Sequence, residues 1–179
     1  RVAIIPEKAA MLSKQNHNIL IESNAGIGAG YPDKDYVNSG CTIISNVEKI
    51  YKNSELITKV KEPLKSEYKY LNKKSILFTF LHLAANKNLL LNLLKSEMTS
   101  IAYEAISKNG KTFPLLKPMS EIAGKLAPQI AANFLQKQNG GPGLLIGGTS
   151  NTNPLNISII GAGIVGYNAA IISKGMGAN

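Results

Sequence analysis

The stretch NISIIGAGIVG, residues 156–166, decides which fold this sequence predicts. The apolar run before its glycines is typical of a buried strand, and a helix-like pattern over residues 165–173 follows them. Gly161, Gly163 and Gly166 form the pattern G-x-G-x-x-G in the strand–turn–helix context that this motif requires. Such glycines permit a tight turn and let phosphates approach the N-terminus of the helix. The stretch therefore predicts a Rossmann-type unit that binds a dinucleotide.

The rest of the chain alternates between short apolar runs and helix-like periodicity. The predicted strands cover residues 2–5, 18–23, 41–45, 55–61, 76–80, 99–104 and 157–160. The predicted helices cover residues 7–15, 33–39, 46–53, 66–72, 86–97, 120–136 and 165–173. Asp33 and Ser120 are the expected N-caps of two of these helices, and Pro128 is expected to kink the longest one. The alternation predicts an α/β protein with parallel sheets.

Two domains are predicted. Residues 1–114 form a Rossmann-like, parallel-sheet substrate and catalytic domain, and residues 115–179 form the start of the dinucleotide-binding domain. Because the sequence begins at Arg1 rather than Met and stops soon after the glycine motif, we expect both ends to be cut. The acidic residue expected about 20 residues after the motif to bind the ribose does not appear before Asn179. The choice between NAD and NADP is therefore left open by the residues.

Composition excludes several classes of function. The hydrophobic fraction of 44% is that of a globular protein, and no apolar run is long enough to span a bilayer. The net charge of +9 comes from lysines spread over the whole chain without a cluster, which argues against nucleic-acid binding. Cys41 is the single cysteine and has no internal disulfide partner, which fits a reducing cytoplasm. Arg1 is the single arginine, which suggests a place where a bidentate guanidinium is needed.

Three ionisable residues fall at or just after the ends of predicted strands: Lys61, His82 and Glu104. In open parallel sheets the ligand crevice lies at that edge, so these residues are candidates for a functional site. Each also has a plainer interpretation. His82 lies between leucines and fits either a core residue or a proton donor and acceptor, and Lys61 fits a solvated charge. Ser120 fits either a helix cap or a phosphate ligand, and no metal-binding set is apparent.

Several segments together resemble one known family, the bacterial alanine dehydrogenases, which are related to the nicotinamide nucleotide transhydrogenase α subunit. The matching segments are RVAIIPE (1–7), SNAGIGAGYPDKDY (23–36), KVKEP (59–63), ILFTFLHLAA (76–85), IAYE (101–104), PLLKPMSEIAGKLA (114–127), GGPG (140–143) and IIGAGIVGYNAA (159–170). Transhydrogenase chains usually lack the histidine of HLAA and the triplet KEP. This chain has both, which favours the amino-acid dehydrogenases.

The resemblance implies an NAD-dependent enzyme that converts L-alanine reversibly to pyruvate and ammonia, in the cytoplasm and as a hexamer. It implies that Arg1 and Lys61 bind the substrate and that His82 is the catalytic acid and base. It also implies that the dinucleotide pyrophosphate is bound by six residues: Ser120, Gly161, Gly163, Ile164, Val165 and Gly166. No metal is implied, and neither nucleic acid nor a membrane is expected as a partner.

The sequence also departs from the family. Asn16 and Asn24 stand where glycines are usual, and Pro128 lies in a helix that normally contains none. Two alternatives therefore stay open. The chain could be a transhydrogenase-type nucleotide-binding subunit, or a catalytically inactive fragment that acts at most in assembly through uncovered apolar faces.

Overall fold

The computed structural model describes every residue from Arg1 to Asn179. The chain forms two compact units, which we call unit 1 (Arg1–Ala105) and unit 2 (Ile106–Asn179). The domain boundary expected between residues 114 and 115 stays a prediction. None of the helices combines the length and apolar character that crossing a bilayer requires.

The chain contains six α-helices and five strands. The helices are α1 (Pro6–Ser13), α2 (Asp33–Asn38), α3 (Val47–Asn53), α4 (Lys87–Ser96), α5 (Lys117–Leu135) and α6 (Ile164–Gly175). The strands are β1 (Leu20–Glu22), β2 (Thr42–Ile44), β3 (Leu56–Thr58), β4 (Ile76–Thr79) and β5 (Thr99–Ala102). Short 3-10 turns occur at Ile27–Ala29, Lys65–Tyr70, Leu83–Ala85, Tyr103–Ala105 and Lys137–Asn139.

All five strands lie in unit 1, in two parallel sheets. β1 pairs with β2, and the second sheet has the order β3-β4-β5. Leu77 in the central strand β4 lies opposite Ile57 in β3 and opposite Ser100 in β5. Because parallel strands need a crossover, helical segments separate neighbouring strands along the chain. The predicted α/β fold with parallel sheets is confirmed.

Two apolar clusters stabilise unit 1. The larger one lies around the second sheet and comprises Tyr51, Ile57, Leu71, Leu77, Leu81, Leu89, Leu93 and Met98. The smaller one lies around the first sheet and comprises Ala9, Ile21, Tyr36 and Cys41. Each fully buried leucine contributes about 1.5–3 kcal/mol relative to an exposed one. The larger cluster therefore fixes the strands whose ends form the candidate site below.

The predicted first strand at residues 2–5 is wrong, since the structure has no strand there. Val2 and Ile4 pack against the smaller cluster, and the Ile4 carbonyl accepts a hydrogen bond from the hydroxyl of the buried Tyr36 at 2.9 Å. These apolar residues are thus explained by packing rather than by sheet pairing.

Both predicted N-caps are also wrong. Asp33 is the first residue of α2, and its carboxylate accepts hydrogen bonds from the Ser23 hydroxyl and the Asn24 amide instead of capping the helix. Ser120 lies inside α5, which begins earlier, at Lys117. The helix can begin there because Pro118 falls in its first turn, where the missing N–H has no intrahelical partner anyway.

The two asparagines that replace family glycines have left-handed backbones. Asn16 has φ 66° and Asn24 has φ 65°. Asparagine tolerates this conformation better than most residues because its short side chain bonds locally. Asparagine in place of glycine at these two positions is therefore compatible with the left-handed turns that the chain makes there.

In unit 2, α5 and α6 pack closely against each other. A Cβ atom at Gly124 would collide with the Val165 carbonyl oxygen, so the close approach requires glycine at that position. Pro128 lies inside helix α5 and is buried, and the helix continues beyond it to Leu135.

The predicted strand at residues 157–160 is not formed in the structure. Leu155 and Ile157 nevertheless share two backbone hydrogen bonds with Asn179, in the pattern of a parallel strand pair. The Asn179 amide donates to Leu155 and the Ile157 amide donates to Asn179, each at 2.9 Å. Ile160 is fully exposed, at 103%. The segment therefore pairs with another backbone only at Asn179, which is too little to form a strand.

Candidate active site

Lys61, His82 and Glu104 follow three neighbouring parallel strands at the same edge of the second sheet. Thr58 at the end of β3 lies opposite Phe78 in β4, and Thr79 at the end of β4 lies opposite Ala102 in β5. The residues just beyond these positions are therefore brought together by the register. The structure thus places the three candidate residues, Lys61, His82 and Glu104, at one edge of the sheet, as predicted from the strand ends.

Thr79 fixes the backbone that carries Lys61. This threonine is fully buried, and its hydroxyl donates to the Lys61 carbonyl at 2.9 Å. The Lys61 side chain is exposed and makes no hydrogen bond or ion pair. Its ammonium group is therefore available to an anionic ligand. A threonine at a buried position of an otherwise apolar strand is the sequence signal that could have found Thr79.

The segment KVKEP contains a second lysine with a different environment. Lys59 lies 2.6 Å from each carboxylate oxygen of Glu67, which is buried. The same carboxylate accepts hydrogen bonds from the Leu64 amide and, at 3.4 Å, from the Tyr51 hydroxyl. Burial, together with the charge of Glu67, raises the pKa of the Tyr51 hydroxyl. Lys59 is thus held in an ion pair within the protein, whereas Lys61 is the exposed lysine of this segment.

His82 is exposed rather than part of the core. Its backbone is left-handed, with φ 49° and ψ 41°. For a residue other than glycine this conformation costs roughly 1–2 kcal/mol. The imidazole stacks on the Phe80 ring, with centroids 5.9 Å apart and planes 7° apart. The side chain can therefore meet a ligand at the sheet edge and exchange a proton with it.

Glu104 binds the backbone on which His82 sits. Its carboxylate accepts from the His82 amide at 2.7 Å and from the Leu81 amide at 3.2 Å to each oxygen. Burial alone would raise the pKa of Glu104, but these N–H donors and the nearby His82 outweigh it and lower the pKa. Arg1, the other predicted substrate ligand, lies exposed at the start of unit 1, before α1.

The glycine turn of unit 2 has the backbone that its motif predicts. Gly161 has φ 98°, which suits glycine, and a Cβ at Gly166 would collide with the Gly161 carbonyl oxygen. Gly163 is the N-cap of α6, and no side chain caps the helix. A Cβ at Gly163 would meet nothing within 4 Å, so open space faces this glycine. The N-terminus of α6 thus has its N–H groups uncapped, as phosphate binding requires.

One cavity of about 730 Å³ in unit 2 brings the predicted cofactor residues together. Ser120, Gly161, Gly163, Ile164, Val165 and Gly166 all line it, with apolar side chains from α5, α6 and the segment before the turn. Its size falls within the range of small-molecule sites, and its lining is mostly apolar with a few polar groups. A dinucleotide therefore fits the residues present.

These features define the class of protein. Unit 1 has a parallel sheet with a lysine and a histidine at one edge, and unit 2 has a Rossmann-type glycine turn at a helix N-terminus. An α/β enzyme with a Rossmann-like fold and a dinucleotide cofactor has this arrangement.

Comparison with known families narrows the class. The family described as alanine dehydrogenase/PNT, N-terminal domain, matches residues 1–123, and the corresponding C-terminal domain matches residues 127–179. The chain belongs to the alanine dehydrogenase/PNT family, whose members are dinucleotide-dependent oxidoreductases. The resemblance read from the sequence motifs is thereby confirmed.

Individual relatives agree with this placement. The chain is 44% identical over 99% of its length to the alanine dehydrogenase of Methanococcus maripaludis and covers 48% of that protein. It is 44% identical over its whole length to the alanine dehydrogenase of Bacillus subtilis and covers 47% of it. The chain thus spans about half the length of these curated relatives.

Solved structures show the same fold. An L-alanine dehydrogenase superposes with a TM-score of 0.89 at 42% identity, over 99% of this chain and 49% of its own. The transhydrogenase from Sinorhizobium meliloti superposes with a TM-score of 0.79 at 21% identity, over 99% of this chain and 53% of its own. At that identity the second likeness shows the fold alone.

Proposed function

We propose that this chain provides the substrate half and the first part of the cofactor half of an NAD-dependent alanine dehydrogenase. The reaction is the reversible oxidative deamination of L-alanine to pyruvate and ammonia. The observation that most supports this function is that Lys61 and His82 follow neighbouring parallel strands at the same sheet edge, where the Thr79 hydroxyl donates to the Lys61 carbonyl. The 44% identity to named alanine dehydrogenases supports the same substrate.

Lys61 and Arg1 are the proposed substrate ligands. A small 2-oxo acid presents a carboxylate and a carbonyl oxygen, both of which an ammonium group stabilises. The unpaired ammonium of Lys61 at the sheet edge suits this task. The Arg1 guanidinium suits a carboxylate because its planar fork donates two parallel hydrogen bonds.

His82 is the proposed catalytic acid and base. Oxidation of the amino acid proceeds through an iminium and then a carbinolamine, whose oxygen must lose a proton when ammonia leaves. His82 accepts that proton in one direction and donates it to the pyruvate carbonyl oxygen in the other. An exposed imidazole with no hydrogen bond to the protein is free to do both.

The cofactor is proposed to lie at the glycine turn of unit 2. Gly161, Gly163 and Gly166 shape the turn, the amides of Ile164 and Val165 would hold the pyrophosphate, and Ser120 would contribute its hydroxyl. The chemistry that NAD supplies when bound is hydride transfer at its nicotinamide. The predicted domain limits, 1–114 for substrate and 115–179 for the cofactor, are part of this proposal.

The remaining proposals concern the cell and the assembly. Cys41 is buried and unpaired, which supports a reducing cytoplasmic location. Exposed apolar side chains recur along one stripe of α5, at Ile122, Leu126, Ile130 and Phe134. Such a stripe supports burial against further protein and agrees with the proposed hexamer.

The test is an assay of NADH oxidation that depends on both pyruvate and ammonia, in the whole protein that contains this sequence. Lys61→Met and His82→Gln are expected to lower turnover by at least about a hundredfold, in line with general acid–base catalysis. Lys65→Met and His17→Gln are matched controls, since both residues are exposed and neither is among the predicted site residues.

Three outcomes contradict the proposal. Hydride exchange between nucleotides without a need for pyruvate favours the transhydrogenase-type subunit. Absence of turnover and of NAD binding in the whole protein favours the inactive assembly module. Full activity of the His82→Gln variant removes the proposed acid and base.

A further inference from the structure

Glu104 has a set of contacts that the proposed mechanism does not use. Both oxygens of its carboxylate are occupied by main-chain amides of the neighbouring strand end. The His82 amide lies 2.7 Å from one oxygen, and the Leu81 amide lies 3.2 Å from each. Two successive N–H groups thus point at a single negative charge, an arrangement in which the backbone binds an anion.

The conformation of His82 explains why this contact matters. His82 has a left-handed backbone, which residues other than glycine avoid. Such a conformation persists only where surrounding contacts fix it. The charge-assisted bond from the His82 amide to Glu104 is the shortest contact that does so.

A second set of contacts from the same segment reaches the His82 ring indirectly, through Phe80. Tyr103 directly precedes Glu104 and packs edge-on against Phe80, with centroids 5.1 Å apart. Phe80 in turn stacks on the His82 imidazole at 5.9 Å. The 3-10 turn that follows β5 therefore contacts the backbone of His82 directly through Glu104, and reaches its ring through Tyr103 and Phe80.

We propose that Glu104 is a positioning residue, which holds the His82 imidazole in its reactive orientation by binding the Leu81 and His82 amides. The inference rests on the proposed role of His82. Glu104 acts through the backbone and not as a proton donor, because both of its oxygens already accept hydrogen bonds from main-chain amides. Its lowered pKa agrees, since it keeps the carboxylate ionised at neutral pH.

The first experiment measures the orientation of His82 directly and needs no activity. Because the imidazole stacks on Phe80, we expect the ring current of the phenyl group to move the His82 ring protons away from their values in an unstructured peptide. In Glu104→Gln the amide nitrogen faces one of the two donors that the carboxylate accepted, so the strand end rearranges. We expect the ring protons to move towards their values in an unstructured peptide.

The matched control is Glu97→Gln, which neutralises an exposed glutamate of the same unit. We expect this variant to leave the His82 ring shifts unchanged. If Glu104→Gln also leaves them unchanged, the positioning role is overturned, whatever reaction the protein performs.

The second experiment uses kinetics in the whole protein. Glu104→Gln is expected to lower kcat about tenfold to a hundredfold, the scale that a misplacement near 1 Å produces, with less than a twofold change in KM for pyruvate. The double variant Glu104→Gln/His82→Gln is expected to match His82→Gln alone, because there is then no imidazole to position.

The outcomes separate the two proposals. An additive loss in the double variant, or an unchanged kcat in Glu104→Gln, overturns the positioning role and leaves the dehydrogenase function standing. A wild-type protein without pyruvate-dependent turnover contradicts the proposed function, and the ring shifts then decide the positioning role by themselves.

Discussion

Replacing Glu67 by glutamine tests what fixes the loop that contains Lys61. Glu67 is 8% exposed and its carboxylate binds Lys59, the Leu64 amide and the Tyr51 hydroxyl. Glutamine preserves the shape of the side chain and one acceptor oxygen but removes the charge. The Lys59 ammonium is then left in a partly buried place without its counter-ion.

The magnitude follows from the exposure of the two partners. Removing one partner of a fully buried ion pair costs about 3–5 kcal/mol. The Lys59 side chain is 25% exposed, so its ammonium can turn towards water and recover part of this cost. We therefore expect Glu67→Gln to lower the free energy of unfolding by about 2–3 kcal/mol.

The assay is urea unfolding followed by tyrosine fluorescence. The chain has no tryptophan, and among its 7 tyrosines Tyr167 alone lies in unit 2, so the signal reports mainly on unit 1. Glu97→Gln serves as the control, since the pair of Glu97 with Lys73 has side chains 70% and 72% exposed. An exposed pair contributes less than about 1 kcal/mol. Equal losses in the two variants would refute the reasoning.

Three further predictions follow from the same structure. Thr79→Val should cost about 1–2 kcal/mol of unfolding free energy in the same assay, because the Lys61 carbonyl loses its hydrogen bond, and Thr79→Ser should cost less. Gly166→Ala should lower the melting temperature of unit 2, because the added Cβ collides with the Gly161 carbonyl oxygen. Gly163→Ala should leave the melting temperature unchanged, because its Cβ meets open space, but should weaken NADH binding in a fluorescence titration. Because the pKa of Glu104 is lowered by folding, its contribution to stability should be lost as pH falls below about 4.5. The melting temperature of Glu104→Gln should accordingly fall less than that of the wild type over this range; equal falls would contradict the prediction.

The prediction of the fold succeeded where the local pattern and the tertiary environment agree. The stretch 156–166 combines glycines with a helix-like pattern, and its turn and helix α6 formed as expected. The parallel strands β3 to β5 were found because each is an apolar run followed by a helical or polar segment. Their register then brought Lys61, His82 and Glu104 to one edge, as the general geometry of parallel sheets requires.

The errors arose where an apolar run served a purpose other than sheet pairing. Residues 2–5 pack against the smaller cluster, and residues 157–160 have a hydrogen-bonded neighbour only near Asn179. Apolar character reports burial or its potential, whereas a strand also needs a partner for its backbone groups. The N-cap expected at Ser120 failed because a proline in the first turn allowed α5 to begin earlier.

The sequence by itself determined the α/β class, the dinucleotide turn and the residue types at the strand ends, because each depends on patterns within a few neighbouring residues. The tertiary structure decided which lysine of KVKEP stays unpaired, since Glu67 and not the local sequence selects Lys59. It also decided that His82 is exposed, left-handed and bound through its amide to Glu104. These contacts join residues far apart in the chain, and only the packing of neighbouring parallel strands brings them within hydrogen-bonding distance.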